Sequence, residues 1–250
     1  MRQDLSRIQI LEDREPKFYS KPSVIVGLPE AGLVGTIASS YLIQVLRLPE
    51  IGHIESDLEP PLVVVEKSEP KHAIRLFGRE DLVIFLSDIP FPSRLSSEFS
   101  SAVVNWSLAR QARLLIGVTG IPSTARLNLQ QDLPRVFYIT TRKELASSVS
   151  PPAEIFEEGL IAGTYALLLK ACMRLGQPNM TFLAESHPNF PDPGAAAAII
   201  MDMKSFLGIE IDVKQLLQES EQIRLKLREL MKRTQQSYES TPERPPGVYS

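Results

Sequence analysis

The stretch SVIVGLPEAGLVGTIASSYLIQVLRL, residues 23–48, constrains the fold most, because it joins a strand pattern directly to a helix pattern. Ser23–Gly27 is a short β-branched run that ends in glycine, which is typical of a buried strand. Over Ala31–Leu46 the apolar residues recur at helical spacing. The sequence therefore predicts a strand, a tight turn and a helix at the start of the folded part.

The same alternation continues along the chain. Four short β-rich segments, separated by proline, glycine and charged pairs, come next: IGHIES, PLVVVEK, HAIRLFG and LVIFLSD. Their close spacing predicts hairpins as well as parallel pairs. The later segments RLLIGVTG, RVFYITT and NMTFLAES predict strands that alternate with helices at about residues 93–113 and 159–175 and with one that Gly208 ends. This order predicts an α/β sheet covered on both faces.

The last predicted helix has a narrow apolar seam. Its members recur at spacings of three and four, as in a heptad repeat: Val213, Leu216, Ser220, Ile223, Leu227 and Leu230. Such a helix can pack back on its own domain or pair with another helix, including a copy of itself. The residues beyond it include Pro242, Pro245 and Pro246, which favour an extended tail.

These patterns divide the chain into four parts. We expect an N-terminal lead-in (1–20), an α/β domain (21–210), a coiled-coil-like C-terminal helix (211–238) and a flexible proline-rich tail (239–250).

The glycine turn contains Gly27, Pro29, Gly32 and Gly35 at the junction of strand and helix, where free N–H groups can bind anions. The dinucleotide fingerprint requires glycine where Pro29 stands, and the Gly-Lys-Ser/Thr of a P-loop is absent. Glu30 would also repel a phosphate. Tight packing between helix and strand explains the glycines better, so we expect a structural turn and no cofactor.

The histidines do not form a metal motif in the sequence. His53, His72 and His187 are far apart, and the chain has a single cysteine. His187, near Glu185 and Asp192, is the best candidate for an acid–base or metal cluster, but Asp192 capping the next helix accounts for the same residues. The sequence therefore predicts neither a catalytic nor a metal site.

Charge and hydropathy argue against nucleic acid and membrane as partners. The formal net charge of −3 and the pI near 5.8 argue against a dedicated nucleic-acid-binding protein. No segment approaches 18 consecutive apolar residues, so no membrane span or signal peptide is predicted. We expect a cytoplasmic protein.

Two stretches resemble the archaeal branch of the proteasome-assembly-chaperone family. IVGLPEAGLVGTIASSYLI is similar to the family's Gly-x-Pro-x-x-Gly-Leu-Val-Gly opening. LAESHPNFPDPGAAAAIIMDMKSFLGIEID is similar to its Pro-Asp-Pro loop, which is followed by Ala-Ala and ends in Leu-Gly-Ile-Glu-Ile-Asp. With the matching order of elements, the resemblance covers roughly residues 20–215.

The resemblance implies a three-layer α/β/α domain with a mixed central sheet, like that of phosphorylase/hydrolase-type folds, without retained catalysis. It also implies homo-oligomers, possibly with a paralogous family member, and a role alongside the α subunits of the proteasome core particle.

The tail fits that role, because it ends in Val248, Tyr249 and Ser250. Proteasome activators and some assembly factors end in hydrophobic–tyrosine–any residue (the HbYX pattern). A terminal carboxylate can pair with a lysine of an α-ring pocket, while the tyrosine and the apolar residue add contact area. We therefore expect an assembly chaperone or activator that docks its tail without ATP.

Two alternatives remain open from the sequence. One is a small-molecule-binding enzyme with a pocket near the Gly27–Gly35 turn and the Glu185–Asp192 loop. The other is a scaffold that assembles through its C-terminal helix.

Overall fold

The computed structural model describes residues 8–13, 21–127, 133–149, 153–208 and 210–239. Its strands are β1 (Ile8–Glu12), β2 (Ser23–Gly27), β3 (Glu50–Ser56), β4 (Val64–Glu66), β5 (Glu69–Lys71), β6 (Ile74–Arg79), β7 (Leu82–Ser87), β8 (Leu114–Pro122), β9 (Val136–Thr140), β10 (Glu154–Ile155) and β11 (Asn179–Ser186). Its α-helices are α1 (Val34–Leu46), α2 (Ser93–Ala109), α3 (Gly163–Leu175), α4 (Pro193–Leu207), α5 (Lys214–Gln218) and α6 (Ser220–Glu239). Short 3-10 helices span Ala31–Leu33, Thr124–Arg126 and Lys143–Ser148.

A mixed sheet forms the centre of the molecule. Nine of the described strands follow the order β1-β3-β6-β7-β2-β8-β11-β9-β10, while β4 and β5 form a separate hairpin. The central strands β7, β2, β8 and β11 are parallel, and both flanks contain antiparallel pairs. These parallel strands are covered on both faces, so nearly all of their residues are buried.

Helices cover both faces of the sheet. Along β2, Ile25 faces the core shared with α1 and α4, whereas Val24 and Val26 face the core shared with α2 and α3. This alternation is what a period of two along a strand produces. The expected three-layer α/β/α architecture with a mixed sheet is confirmed.

The heptad seam of the C-terminal helix contacts its own domain. Val213 and Leu216 are buried, and Ile223, Leu227 and Leu230 pack against the core beneath α1 and α4. Helical geometry breaks at Glu219, so the predicted single helix consists of α5 and α6. Farther along α6, Met231 and Thr234 are also buried. The described part of this element therefore lies along the α/β body.

The stretch described above as a lead-in contains a strand. β1 pairs antiparallel with β3 over its whole length, from Ile8 opposite Ser56 to Glu12 opposite Gly52. The Trp106 indole N–H donates to the Glu12 carboxylate at 2.7 Å, which also ties this strand to α2. The sheet therefore begins before residue 21.

Candidate functional site

The glycine turn brings the start of α1 against the sheet. A Cβ on Gly35 would lie 2.3 Å from the Val118 carbonyl oxygen of β8, and one on Gly27 would lie 2.0 Å from Ser39 Oγ. Gly32 has a φ of +61°, and a Cβ there would meet Ser186 at 2.8 Å. Pro29 is buried in the same turn. The turn thus joins β2 and α1 to the ends of β8 and β11 through contacts that leave no room for side chains.

Tyr165 of α3 connects this turn to the sheet from the other face. Its hydroxyl donates to the Val118 carbonyl at 2.5 Å, lies 3.0 Å from the Val26 carbonyl and accepts the Leu28 N–H at 3.1 Å. The side chain is fully buried. β2 ends at Gly27, so the N–H of Leu28 has no neighbouring strand among those described to pair with. The Tyr165 hydroxyl accepts this N–H instead.

Replacing Tyr165 with phenylalanine should destabilise the protein by about 1–3 kcal/mol, because the Leu28 N–H would then be buried without an acceptor. The free energy of unfolding, measured by urea titration, checks this value. A loss below about 0.5 kcal/mol would show that the hydroxyl is not needed to satisfy the turn.

A cavity of about 320 Å³ lies beyond the carboxyl ends of β2, β8 and β11. Such positions are where open α/β sheets usually form ligand pockets. The walls are mainly apolar and include Phe156, Leu160, Ile161, Leu183, Pro188 and Met231. Its polar lining side chains are Glu30, Thr119, Tyr165, Thr234 and Gln235. One wall comes from α6, through Met231, Thr234 and Gln235.

Glu30 provides the cavity with a carboxyl group at the first turn of α3. Its Oε1 accepts the Thr164 N–H at 2.9 Å, and its Oε2 accepts from Thr119 Oγ1 at 3.5 Å. Gly163 has a φ of +76°, and a Cβ there would lie 2.9 Å from Oε1. Burial raises the pKa of Glu30 to about 7, although the hydrogen bonds from Thr164 and Thr119 lower it in part. The carboxyl group therefore titrates near neutral pH.

The loop after β11 is held by a buried ion pair. Arg126 Nη2 lies 2.8 Å from Asp192 Oδ1, and Arg126 Nε donates to Asp192 Oδ2 at 3.1 Å. The Asp192 carboxylate also accepts the N–H groups of His187 and Ala195, both at 3.1 Å, and so caps α4. Asp192 further donates its own N–H to the Gly32 carbonyl at 2.8 Å. One residue thus joins three loops at this end of the sheet.

In the candidate acid–base cluster around His187, the side chains form hydrogen bonds that hold the loop in place. His187 is buried, and its Nδ1 accepts the N–H groups of Asn189 and Phe190. Burial lowers the pKa of His187. Glu185 accepts from Ser123 Oγ at 3.2 Å. His187 and Asp192 therefore shape the loop, and Arg126 is the partner that the sequence pattern does not identify. The acidic group in the cavity lining is Glu30.

His53 and His72 lie together, although they are well separated in the sequence. Their rings stack with centroids 3.7 Å apart and planes 11° from parallel. Ligand atoms of His53, Glu55 and His72 lie within 4.8 Å of one another. Lone pairs in two parallel rings do not converge on one point, so a shared ion would require one of the two rings to rotate. The described geometry is that of a stacked imidazole pair beside carboxylates.

The predicted docking residues Val248, Tyr249 and Ser250 lie outside the described residues. Of the chain before them, α6 is described up to Glu239, and Gln235 Nε2 donates to the Asn189 carbonyl at 3.3 Å. Among the described residues, no helix is both long and apolar enough to span a bilayer.

Comparisons with known proteins agree with this architecture. An uncharacterised protein of Methanocaldococcus jannaschii is 30% identical over 215 residues, which are 85% of this chain and 86% of the relative. The crystal structure of Pyrococcus furiosus PbaA, an archaeal homolog of proteasome-assembly chaperone, has a TM-score of 0.81 at 27% identity and covers 92% of this chain and 99% of its own.

A second Pyrococcus furiosus structure, that of PbaB, an archaeal proteasome activator, shares the fold at 24% identity. It has a TM-score of 0.74 over 90% of this chain and 99% of its own. The PAC2 family profile matches residues 24–231, from β2 into α6. The chain therefore belongs to the PAC2 family.

Proposed function

We propose that this protein binds the α ring of the proteasome core particle through Val248, Tyr249 and Ser250, without ATP, as an assembly chaperone or an activator. The observation that carries the proposal is the similarity to PbaA over 92% of the chain, combined with a sequence that ends in Val-Tyr-Ser. The fold supplies the body of the molecule, and the tail supplies the contact.

The chemistry of the tail suits a narrow pocket lined by cationic and apolar groups. The carboxylate of Ser250 pairs with a lysine, the Tyr249 ring fills apolar space with a polar tip, and Val248 adds apolar contact. Pro242, Pro245 and Pro246 restrict the free chain, so less conformational entropy is lost on docking.

The placement of α6 supports delivery of the tail from a fixed point. Met231 and Thr234 are buried, so α6 is held on the body within two turns of Glu239. Eleven residues, 240–250, follow and can span at most about 40 Å when fully extended. A docking peptide on such a tether samples a restricted volume around the end of α6.

We further propose that the protein acts as an oligomer. A single tail of three contact residues binds weakly, whereas several tails on one assembly engage several pockets of the ring at high effective concentration. A paralogous family member can contribute tails to the same assembly.

The experiment is a binding measurement between immobilised archaeal α rings or core particles and four forms of the protein. These are the intact chain, a deletion of residues 248–250, Tyr249→Ala and the matched control Ser250→Ala. The deletion and Tyr249→Ala should each weaken binding by about 30-fold or more, the loss typical of an interface hot spot. Ser250→Ala keeps the terminal carboxylate and the hydrophobic–tyrosine–any pattern, so it should bind like the intact chain.

Peptide hydrolysis by the core particle, recorded with and without ATP, separates the two uses of the same contact. Faster hydrolysis on addition of the intact protein indicates an activator, and unchanged hydrolysis with retained binding indicates a chaperone. Equal binding by the intact and truncated forms, at matched thermal stability, would contradict tail docking. A requirement for ATP would contradict the proposed mechanism.

A further inference from the structure

The cavity at the carboxyl ends of β2, β8 and β11 has one charged lining group. Of its described lining residues, Glu30 is the acidic one, and none is lysine, arginine or histidine. Glu30 is half-buried, and a carboxylate without a cation in mainly apolar surroundings is unfavourable, so its desolvation raises its pKa to about 7. The cavity therefore presents a site for one positive charge within mainly apolar walls.

The Glu30 carboxylate retains acceptor capacity. Oε1 accepts the Thr164 N–H at 2.9 Å, and Oε2 has a long contact of 3.5 Å with Thr119 Oγ1. The Thr164 hydroxyl also hydrogen-bonds the carboxyl group. An ionised carboxylate offers about four lone-pair positions, so these three donors leave at least one for a ligand. Capping α3 explains why Glu30 lies at this helix, but it does not use every acceptor position.

The walls determine what else the ligand carries. Phe156, Leu160, Ile161 and Leu183 line the cavity; Leu183 is buried, Phe156 and Ile161 are half-buried and Leu160 is exposed at its rim. Its volume of about 320 Å³ falls in the range of small-molecule sites. Phe156 also places an aromatic ring in the lining, and aromatic rings attract cations. A bare metal ion would leave most of these apolar walls uncovered.

We propose that this cavity binds a small organic cation, whose ammonium group pairs with Glu30 and whose apolar body packs against Phe156, Leu160 and Leu183. The site is separate from the tail and does not depend on proteasome binding. The cavity lies where the small-molecule alternative places its pocket, near the Gly27–Gly35 turn. The proposal gives that pocket a class of ligand and no catalytic role.

The ionisation of Glu30 sets the pH dependence of cation binding, because none of its described neighbours changes its charge near neutral pH. Thr164 and Tyr165 of α3 and Thr119 of β8 are its neighbours, and of these only Tyr165 titrates. Burial raises the pKa of Tyr165 well above its ordinary value, so this phenol stays protonated. From α6 the cavity receives Met231, Thr234 and Gln235, none of which titrates. A cation therefore binds the ionised carboxylate of Glu30, which predominates above about pH 7.

The test follows the methyl group of Met231 by NMR of protein labelled at its methionine methyls. The protein has six methionines, and Met231→Leu assigns the signal. Met231 lines the cavity, whereas Met173 is 71% exposed on α3 and serves as the internal reference. Benzylamine is the cationic probe, and benzyl alcohol is its neutral counterpart of similar shape.

Benzylamine should shift the Met231 signal saturably and leave Met173 unchanged. Its affinity should be about tenfold higher near pH 8 than near pH 6, because Glu30 must ionise to bind it. Benzyl alcohol should bind at least about tenfold more weakly near pH 8, since it cannot form the ion pair. In Glu30→Gln both the pH dependence and the preference for the amine should disappear, while the exposed control Glu157→Gln keeps both.

An unshifted Met231 signal, or equal affinity for the amine and the alcohol in the intact protein, would overturn the proposal. These two comparisons use the unmodified chain, so they decide the question even where Glu30→Gln fails to fold.

Discussion

Gly35→Ala should lower the free energy of unfolding by about 3 kcal/mol, because the new methyl group has no space between α1 and β8. Its Cβ would lie 2.3 Å from the Val118 carbonyl oxygen and 3.0 Å from the Leu28 nitrogen. Both are backbone atoms, so relief requires α1 or the strand itself to move, which also disturbs the Tyr165 hydroxyl at 2.9 Å. Urea unfolding of the two proteins, followed by circular dichroism, measures the difference.

Gly176→Ala is the matched control for this substitution. Gly176 ends α3 with a φ of +77°, and a Cβ there meets nothing within 4 Å. Alanine should therefore cost only the left-handed strain of roughly 1–2 kcal/mol. If Gly35→Ala cost no more than Gly176→Ala, close packing would not be the reason for glycine at position 35.

Arg126→Met should lower the free energy of unfolding by about 3–5 kcal/mol, because it leaves the Asp192 carboxylate buried without its cation. The Asp192 side chain is fully buried, and two of its contacts to Arg126 are 2.8 and 3.1 Å long. The two backbone N–H groups that Asp192 also accepts compensate only part of that charge. Thermal and urea unfolding of the intact chain measure the loss.

Arg135→Met gives the comparison on an exposed ion pair. Arg135 and Glu154 are 59% and 52% exposed, with a closest contact of 2.7 Å, so the distance matches that of the buried pair and the burial does not. Water already screens this pair, and we expect a much smaller loss of stability than for Arg126→Met. Equal losses in the two variants would show that burial does not determine the effect at Arg126.

The centre of the fold could be predicted from the sequence, because buried parallel strands and amphipathic helices leave strong periodic patterns. β2, β7 and β11 and the three helices α1–α3 all fall within the predicted segments, and β8 overruns its segment by two residues, to Pro122. β1 could not be predicted in this way. Its sequence IQILE alternates only briefly among charged residues, and its strand geometry depends on β3, which is distant in the chain.

The seam of the C-terminal helix shows a different limit. Over three repeats, spacings of three and four describe equally well a helix that pairs with another helix and one that packs on its own domain. The choice depends on whether the body offers a complementary apolar surface, and here α1 and α4 leave one for Ile223, Leu227 and Leu230. A short sequence pattern contains no information about that surface.

The candidate site depends both on local sequence motifs and on contacts between residues that are distant in the chain. The turn around Pro29 and the loop around Asp192 were visible as motifs, but their joining through Arg126 was not, because the ion pair links residues 66 positions apart. The role of Glu30 likewise depends on Thr164, which comes from another helix. Burial and long-range partners, which determine a pKa, are properties of the folded chain.

The contribution of α6 to the cavity wall links two parts of the molecule energetically. Met231, Thr234 and Gln235 line the cavity only while α6 is docked, so undocking of the helix removes one wall of the cavity and weakens binding there. A bound small molecule would therefore oppose local unfolding of α6 by mass action. The coupling is reciprocal. A partner that binds only the docked helix would raise the affinity of the cavity for its ligand, and the ligand would raise the affinity for that partner by the same factor.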